Sequence, residues 1–461
     1  MPFVRRIKKP SGVYLALVES RWEKGRPRQH VVKYLGKEVE GRAVRRVSSD
    51  GVKVTSVRRH LDVEIIDHLA SDLGLKPLLP SSVLVLVYSQ LLERPSINRM
   101  EGWLNETDML EVLGIERITT ADLYNALDEL QLSDFSKVEQ TLAGYLSRYE
   151  GDGGDGVAAR RSLVIDVTDT YFEGDGMDEG EAPRRGKDGK VGRLVQIALA
   201  VTEKRGFPIF HRLFGGNISG KRLFREMLHL LASMGYDGIV MDRGLYSAAN
   251  IDSALSLGLS MICGVVKDKH FRPMLIGIDK ERLYRKENRI TLRNTHVYAT
   301  SIEHKNGKLI VVYNPYLEVL KREHHYDEGG DDEGASILGY SLIYHNTTLD
   351  EAEVVRRYFE KDIVERSFKQ MKGVLSLRPV RVWLKSHVEA HVKICYLAYA
   401  VLSLLQFRIS RLGISAADAL DILSTGYRVE LRDGSTGFEW RTIVELTKDQ
   451  ERIRNLVYKT R

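Results

Sequence analysis

Between residues 162 and 266 the hydrophobic pattern changes period in a set order, and that order restricts the fold more than any other feature of the chain. Ser162 to Phe172 reads as a buried strand, with Leu163, Val164, Ile165 and Val167 around Asp166. Arg193 to Val201 and Phe207 to Phe214 read as strands, Lys221 to Met234 as a helix, Gly238 to Asp242 as a strand, Ser247 to Leu257 as a helix and Leu259 to Val266 as a strand. The series β, β, β, α, β, α, β predicts a meander followed by βαβ crossovers, which lay helices on the faces of a mixed sheet. A carboxylate inside an apolar run, as at Asp166, costs free energy unless it is paired, hydrogen-bonded or bound to a metal. Asp169 and Glu173 close by leave open that the strand simply meets solvent there. Asp242 ends its strand in Ile-Val-Met-Asp-Arg-Gly, where the carboxyl ends of open sheets form ligand crevices. Taken alone, Asp before Arg-Gly is equally a turn residue.

This is the order an RNase H-like sheet needs. The expected fold is α/β: an RNase H-like mixed-sheet catalytic domain with a β-rich insertion, preceded by a small β-hairpin region and a helical domain. At 461 residues more than one core is expected. Glu150-Gly-Asp-Gly-Gly-Asp-Gly156 is a polar, Gly-rich linker and marks one boundary. The divisions are then 1–60, basic and β-rich; 61–150, a helical DNA-binding domain; 157–267, the first part of the catalytic domain; 268–338, the insertion; 339–405, its second part; and 406–461, a C-terminal region. Helices are predicted at Val63 to Leu73, Pro80 to Leu92, Met100 to Leu113, Ala121 to Leu130 and Phe135 to Tyr149, with caps at Thr119-Thr120-Ala-Asp and Ser133-Asp134. Such a series suits a helix-turn-helix or a plain bundle equally well. In the insertion, Ile290 to Ser301 alternates and Asn306-Gly307 before Leu309 to Tyr313 is a hairpin signal. Cations run along it at Lys267, Lys269, Arg272, Arg282, Arg285, Lys286, Arg289 and Arg293, and it closes with the acidic, Gly-rich Asp327 to Gly334. A strand at Tyr340 to Tyr344 follows, and His387 to Leu405 reads as a long core helix.

Charge is unevenly placed. Residues 1 to 60 carry 16 Lys and Arg against 5 Asp and Glu, within a net charge of +6 for the chain. That excess fits a polyanion partner, with a basic surface kept for solubility as the bland alternative. Tyr14 to Val18 and His30 to Leu35 read as a hairpin whose tip carries Arg21, Trp22, Arg26 and Arg28. Those arginines are candidate DNA contacts, and Trp22 could stack on a base or on its own hairpin. Cys263 and Cys395 lie far apart in apolar surroundings and read as buried free thiols of a reducing compartment. With no uninterrupted apolar run of membrane-spanning length and no apolar leader after Met-Pro-Phe-Val-Arg-Arg, the expectation is a cytoplasmic, nucleoid-associated protein with no membrane partner.

The chemistry concentrates in Tyr358 to Lys372. On one helix, Tyr358, Lys361, Glu365 and Lys372 fall within a sector of roughly 60°, away from apolar Ile363, Val364 and Met371. A carboxylate between two lysines is also what a solvated helix with i, i+4 pairs presents. If Asp166, Asp242 and Glu365 converge, however, they repel one another unless divalent cations neutralise them. An all-oxygen site suits Mg2+ or Mn2+, and two ions about 3.5 to 4 Å apart support in-line phosphodiester displacement. Lys361 and Lys372 would then lie along the phosphate backbone, and Tyr358 could hydrogen-bond a phosphate or stack on an unpaired base.

At these residues the sequence resembles the DDE transposases of bacterial and archaeal insertion sequences, specifically the insertion-sequence-four-like group marked by Tyr-x2-Arg-x3-Glu-x6-Lys. Tyr358, Lys361, Glu365 and Lys372 keep that spacing with Lys in place of Arg, which retains charge and gives up bidentate phosphate contact. Val-Ile-Asp166-Val-Thr168 looks like the first acidic motif and Met-Asp242-Arg-Gly-Leu-Tyr like the second. Arg378-Pro379-Val380 with His387 to His391 looks like the segment after the third, and Arg185 to Lys190 and Phe214-Gly-Gly-Asn217 also resemble family blocks. The resemblance spans roughly residues 160 to 405. It implies Asp166, Asp242 and Glu365 as catalytic metal ligands for two Mg2+ or Mn2+ ions. It also implies hydrolysis and strand transfer at terminal inverted repeats, double-stranded transposon-end and target DNA as partners, and a homodimer in the synaptic complex. The alternatives are a transposase-derived DNA binder that no longer cuts, or a structure-specific RNase H-like nuclease.

Rival signals are weaker. His387-Val-Glu-Ala-His391 has two histidines at i, i+4, but the glutamate is one position late for a His-Glu-x-x-His zinc site. His324-His325 reads as loop, and Thr168 and Thr170 read as strand formers on the face of Asp166.

Overall fold

The computed structural model describes residues 2–10, 12–23, 25–39, 42–44, 51–150, 162–172, 184–185, 191–215, 220–293, 295–377, 385–434 and 437–459. The linker 151–156, the Arg378-Pro379-Val380 segment and most of the two Gly-containing blocks lie outside them. The chain forms two compact units, Met1–Arg59 with Gly426–Leu446, and His60–Thr425 with Thr447–Arg461.

The first unit opens with β1 (Phe3–Lys9), β2 (Gly12–Glu23), β3 (Arg26–Val39) and β4 (Arg42–Val44), an antiparallel sheet in that order, followed by β5 (Val52–Arg59). The tight turn between β2 and β3 holds Gly25 at φ +73°, left-handed backbone that glycine tolerates without strain.

The second unit begins with α1 (Leu61–Asp72), α2 (Ser81–Leu91), α3 (Ile97–Leu104), α4 (Met109–Val112), α5 (Thr120–Leu132) and α6 (Ser136–Glu150). Thr119 caps α5 in a capping box with Asp122. The single helix expected over Met100 to Leu113 is two. Between them the Thr107 hydroxyl donates to the Leu104 carbonyl at 3.1 Å and accepts from the Met109 N–H at 3.3 Å, a local alternative to helical bonding.

The elements from 162 to 265 follow the expected order: β6 (Ser162–Phe172), a short β7 (Arg184–Arg185), β8 (Val191–Thr202), β9 (Pro208–Gly215), α7 (Gly220–Ser233), β10 (Gly238–Met241), α8 (Ala248–Ser256) and β11 (Ser260–Val265). Next come α9 (Arg272–Ile276), α10 (Lys280–Leu283), β12 (Arg289–Leu292), β13 (Thr295–His304), β14 (Gly307–Tyr313), α11 (Pro315–Asp327), α12 (Asp332–Ser336) and β15 (Tyr340–His345). One sheet runs β12-β13-β14-β15-β11-β10-β6-β8-β7, with β9 also on β8. Among the described residues only the β6–β10 and β10–β11 pairs are parallel, so the sheet is mixed. The stretch 268–338, set apart in the sequence as an insertion, contributes three strands to the edge of this same sheet. His324 and His325, read as loop, sit in the last turn of α11. The hairpin turn is Lys305-Asn306, with Lys305 at φ +51°. Gly307 is already in β14, where a Cβ would stand 2.3 Å from the His345 carbonyl oxygen.

The chain ends with α13 (Glu351–Glu360), α14 (Asp362–Lys372), α15 (Lys385–Arg408), α16 (Ala416–Leu423), β16 (Tyr427–Asp433), β17 (Glu439–Ile443) and α17 (Lys448–Tyr458). Here β16 lies between β17 and β5, so the first unit is built from two distant stretches.

One face of the large sheet presents Leu163, Ile165, Ile239, Met241, Met261 and Cys263 to Phe224, Leu228 and Leu231 of α7 and Ile251 and Ala254 of α8, all buried. The other face meets α13 and α14. Helix α15 is long and apolar enough to cross a membrane by length and composition, yet 89% of its apolar window is buried within the protein. It packs against α2, α5 and β9, and its Tyr396 and Tyr399 hydroxyls donate to the Ile209 and Gly206 carbonyls at 2.8 and 2.9 Å. The helices of 61–150, read from sequence as a separate domain, fall in the same compact unit as the large sheet.

Candidate active site

Parallel pairing sets the first two acids side by side. Ile165 is in register with Met241, so Asp166 and Asp242 each lie one residue further on, at adjacent strand positions. Alternation turns Ile165 and Met241 into the apolar core and sends Asp166 and Asp242 to the opposite face. Asp166 is half-buried and accepts the Val167 N–H at 2.8 Å. Asp242 follows β10 in extended backbone, with its side chain 41% exposed.

The helix facing them is not continuous. Helix α13 ends at Glu360 and α14 starts at Asp362, with Lys361 at φ −59°, ψ −13° between them. There the Lys361 N–H reaches the Tyr358 carbonyl at 3.4 Å and the Val364 N–H reaches the Lys361 carbonyl at 3.2 Å, i, i+3 bonds of a tightened turn. The backbone stays right-handed through the joint, so Tyr358, Lys361 and Glu365 still share a side. Asp350 caps α13 through the Glu353 N–H at 2.7 Å. The Ser367 hydroxyl of α14 and the Tyr399 hydroxyl are hydrogen-bonded at 2.7 Å, which ties the site helix to α15.

The Lys361 ammonium stands 3.2 Å from Asp242 Oδ1 and 3.9 Å from Glu365 Oε1, over the Tyr358 ring at 5.3 Å. Lys361 was expected along a phosphate backbone; here two acids hold it, because an ammonium between carboxylates relieves their repulsion. Burial works against ionisation of Asp242, but Lys361, the Arg243 N–H and the Arg243 guanidinium hold its carboxyl below the usual range.

Tyr358 is buried, with its hydroxyl 3.5 Å from Asp242 Oδ1. Burial and the Asp242 charge push the phenol's pKa up, so it remains a donor. Its ring fits over Gly264 of β11, where a Cβ would come within 2.2 Å of the hydroxyl oxygen. A ring packed into the sheet is not free to stack on a base. Lys372, at the end of α14, donates to the Thr168 hydroxyl. Thr168, read from sequence as a strand former, thus belongs to the site.

Glu365 is 54% exposed. Among the described residues no three His, Cys, Asp or Glu side chains lie close enough to hold one metal ion, so Asp166, Asp242 and Glu365 do not form a closed ligand set. Their chemistry nevertheless fits a divalent cation: all donors are oxygens, and the place between Asp242 and Glu365 already takes a positive charge. Arg21, Arg26 and Arg28 lie in the other unit, exposed, with Arg21 opposite Arg28 and beside Glu19 at a tip whose Trp22 is 75% exposed. His387 is engaged with Asp128 at 3.0 Å and His391 with Cys395 at 3.5 Å, so the two histidines do not converge.

Sequence reasoning missed Gly264 and Cys263. An isolated glycine in the apolar run Met261 to Val265 was a usable sign of close approach. Cys263 lies in register with Met241, its Sγ 3.8 Å from the Asp242 carbonyl, and burial, then the Asp242 charge, push the thiol's pKa up.

The site is thus a pair of carboxylates at adjacent positions of parallel strands, faced by a helical segment that carries a third acid and two cations. A family model described as the transposase DDE domain matches residues 158–401, more than half of the chain, and the chain belongs to that family. No curated protein matches it. Among solved structures, a piggyBac transposase synaptic complex with hairpin DNA is similar at 12% identity, covering 79% of this chain and 76% of that one, with a TM-score of 0.41.

Proposed function

We propose that the chain is a DNA transposase of the Tyr-Arg-Glu-Lys group, with an RNase H-like catalytic sheet, that hydrolyses phosphodiesters and transfers strands at terminal inverted repeats in cut-and-paste transposition. What supports the reading is Asp166 and Asp242 at adjacent positions of two parallel strands, with the helix that bears Glu365 facing them, in a chain that the transposase DDE domain model matches. Asp166, Asp242 and Glu365 would hold two ions of Mg2+ or Mn2+. When bound, such ions activate an attacking water or 3′-hydroxyl and stabilise the leaving oxygen. Tyr358 braces Asp242 through its hydroxyl, and Lys372, placed by Thr168, offers charge to the DNA backbone. Residues 1–150, with Arg21, Arg26 and Arg28, contact the transposon end, and two copies act together on end and target DNA at the nucleoid.

The Lys361 ammonium between Asp242 and Glu365 favours a second reading, a transposase-derived DNA binder in which the ion pair has taken the metal's place. Glu365→Gln separates them. Under the first reading the wild type nicks a transposon-end duplex only with Mg2+ or Mn2+, and the variant binds without nicking. A wild type that binds and never nicks leaves the second. A nuclease would cut but yield no product joined to target DNA.

A further inference from the structure

Near Asp242 and the carboxyl ends of β10 and β11 stand four cations that the signature motif does not account for, of which Arg243 alone acts on Asp242. Arg243 follows Asp242 directly, Lys267 lies two residues beyond β11, Arg272 opens α9 and Lys321 is in α11. Among the described residues none of the four forms an ion pair with a carboxylate. Their neighbours are treated differently. Arg322 of the same α11 and Lys280 are both paired with Glu318, and Lys361 is held by Asp242 and Glu365.

Lys267 is half-buried and donates to the Ile337 carbonyl at 3.0 Å, so its position is built rather than free. Parallel β10 and β11 bring Arg243 and Lys267 out at the same end of the sheet, the Arg272 N–H donates to the Asp268 carbonyl at 3.1 Å, and α11 packs on α12, just before Ile337. In keeping with this, burial and then Lys321, Arg243 and Arg272 hold the Lys267 pKa below the ordinary range. Arg243, Arg272 and Lys321 are exposed. Against Asp242 and Asp268 the four cations leave an excess of positive charge, which favours a bound anion. On the opposite flank of the acids, Lys372 sits on Thr168 of β6, so positive charge brackets Asp242 from both sides.

We propose that Arg243, Lys267, Arg272 and Lys321 form a phosphate track that carries the backbone of duplex DNA from Asp242 across the ends of β10 and β11 to α11. The track is blind to sequence, because phosphates carry no base identity. Its location rests on the transposase reading, but binding is measured without cleavage, so the two fail separately.

The test is Arg272→Gln with Lys321→Gln in the full chain, in a Glu365→Gln background, binding two unrelated duplexes across a salt series. Losing two phosphate contacts weakens binding about tenfold or more at roughly 0.1 M salt and makes the plot of log K against log salt shallower by about 2. Both duplexes are affected alike, and Arg272→Lys with Lys321→Arg keeps the original slope. An unchanged slope, or a loss confined to one duplex, overturns the track. If the slope falls as expected while the wild type never cuts with Mg2+, the track stands and the transposase reading falls.

Discussion

The phenol of Tyr358 occupies the place where a side chain at residue 264 would stand. Gly264 leaves an opening in β11, and the ring that fills it carries a hydroxyl 3.5 Å from Asp242. One backbone position in the sheet thus sets how closely α13 approaches the acids.

Gly264→Ala is expected to push Tyr358 and α13 off the sheet, at about 1–3 kcal/mol of stability from overpacking. Metal-dependent nicking should fall more than in Tyr358→Phe, which removes only the hydroxyl. Combining the two changes should recover part of the lost stability in denaturant titrations, since the closest clash is with the hydroxyl oxygen.

Lys361→Gln removes the cation shared by Asp242 and Glu365. Asp242 is held below the usual carboxylate range partly by Lys361, so its carboxyl should titrate at higher pH in the variant, measured by NMR. Because the depressed carboxylate stabilises the fold above its ordinary range and loses that effect as pH falls, the wild type should resist mild acid slightly better. The variant should also need less Mg2+ for half-saturation, as a competing charge is gone.

Thr168→Val leaves the Lys372 ammonium without its hydroxyl acceptor. A hydrogen bond to a charged group is worth up to about 1.5–3 kcal/mol of stability, so the variant should lose a part of that in denaturant titrations, and nicking should fall because Lys372 is no longer held on β6. Thr168→Ser, which keeps the hydroxyl, should restore it.

Glu139 of α6 is buried against His211 and Arg212 of β9, with Arg212 Nη1 at 2.9 Å, His211 Nδ1 at 3.2 Å and the His211 N–H at 3.0 Å. Burial opposes its ionisation, but His211 and Arg212 hold its carboxyl below the ordinary glutamate range. The stabilisation is therefore present above that range and lost as pH falls through the folded-state value. Glu139→Ala should cost about 3–5 kcal/mol, and Glu139→Gln should flatten the acid limb of stability against pH.

Amino-acid order by itself determined the run of elements from Ser162 to Val265, the carboxylates at Asp166 and Asp242, the cap at Thr119 and the spacing of Tyr358, Lys361 and Glu365. Each is written in a local period or a short motif, and local backbone preference is enough to express it. Tertiary structure decided what those residues touch. That Lys361 reaches Asp242, that Tyr358 is buried over Gly264, that Thr168 receives Lys372 and that β5 pairs with β16 all depend on partners far along the chain. Such contacts arise when burial and charge neutralisation are satisfied together in three dimensions, and no window of sequence contains both sides of them.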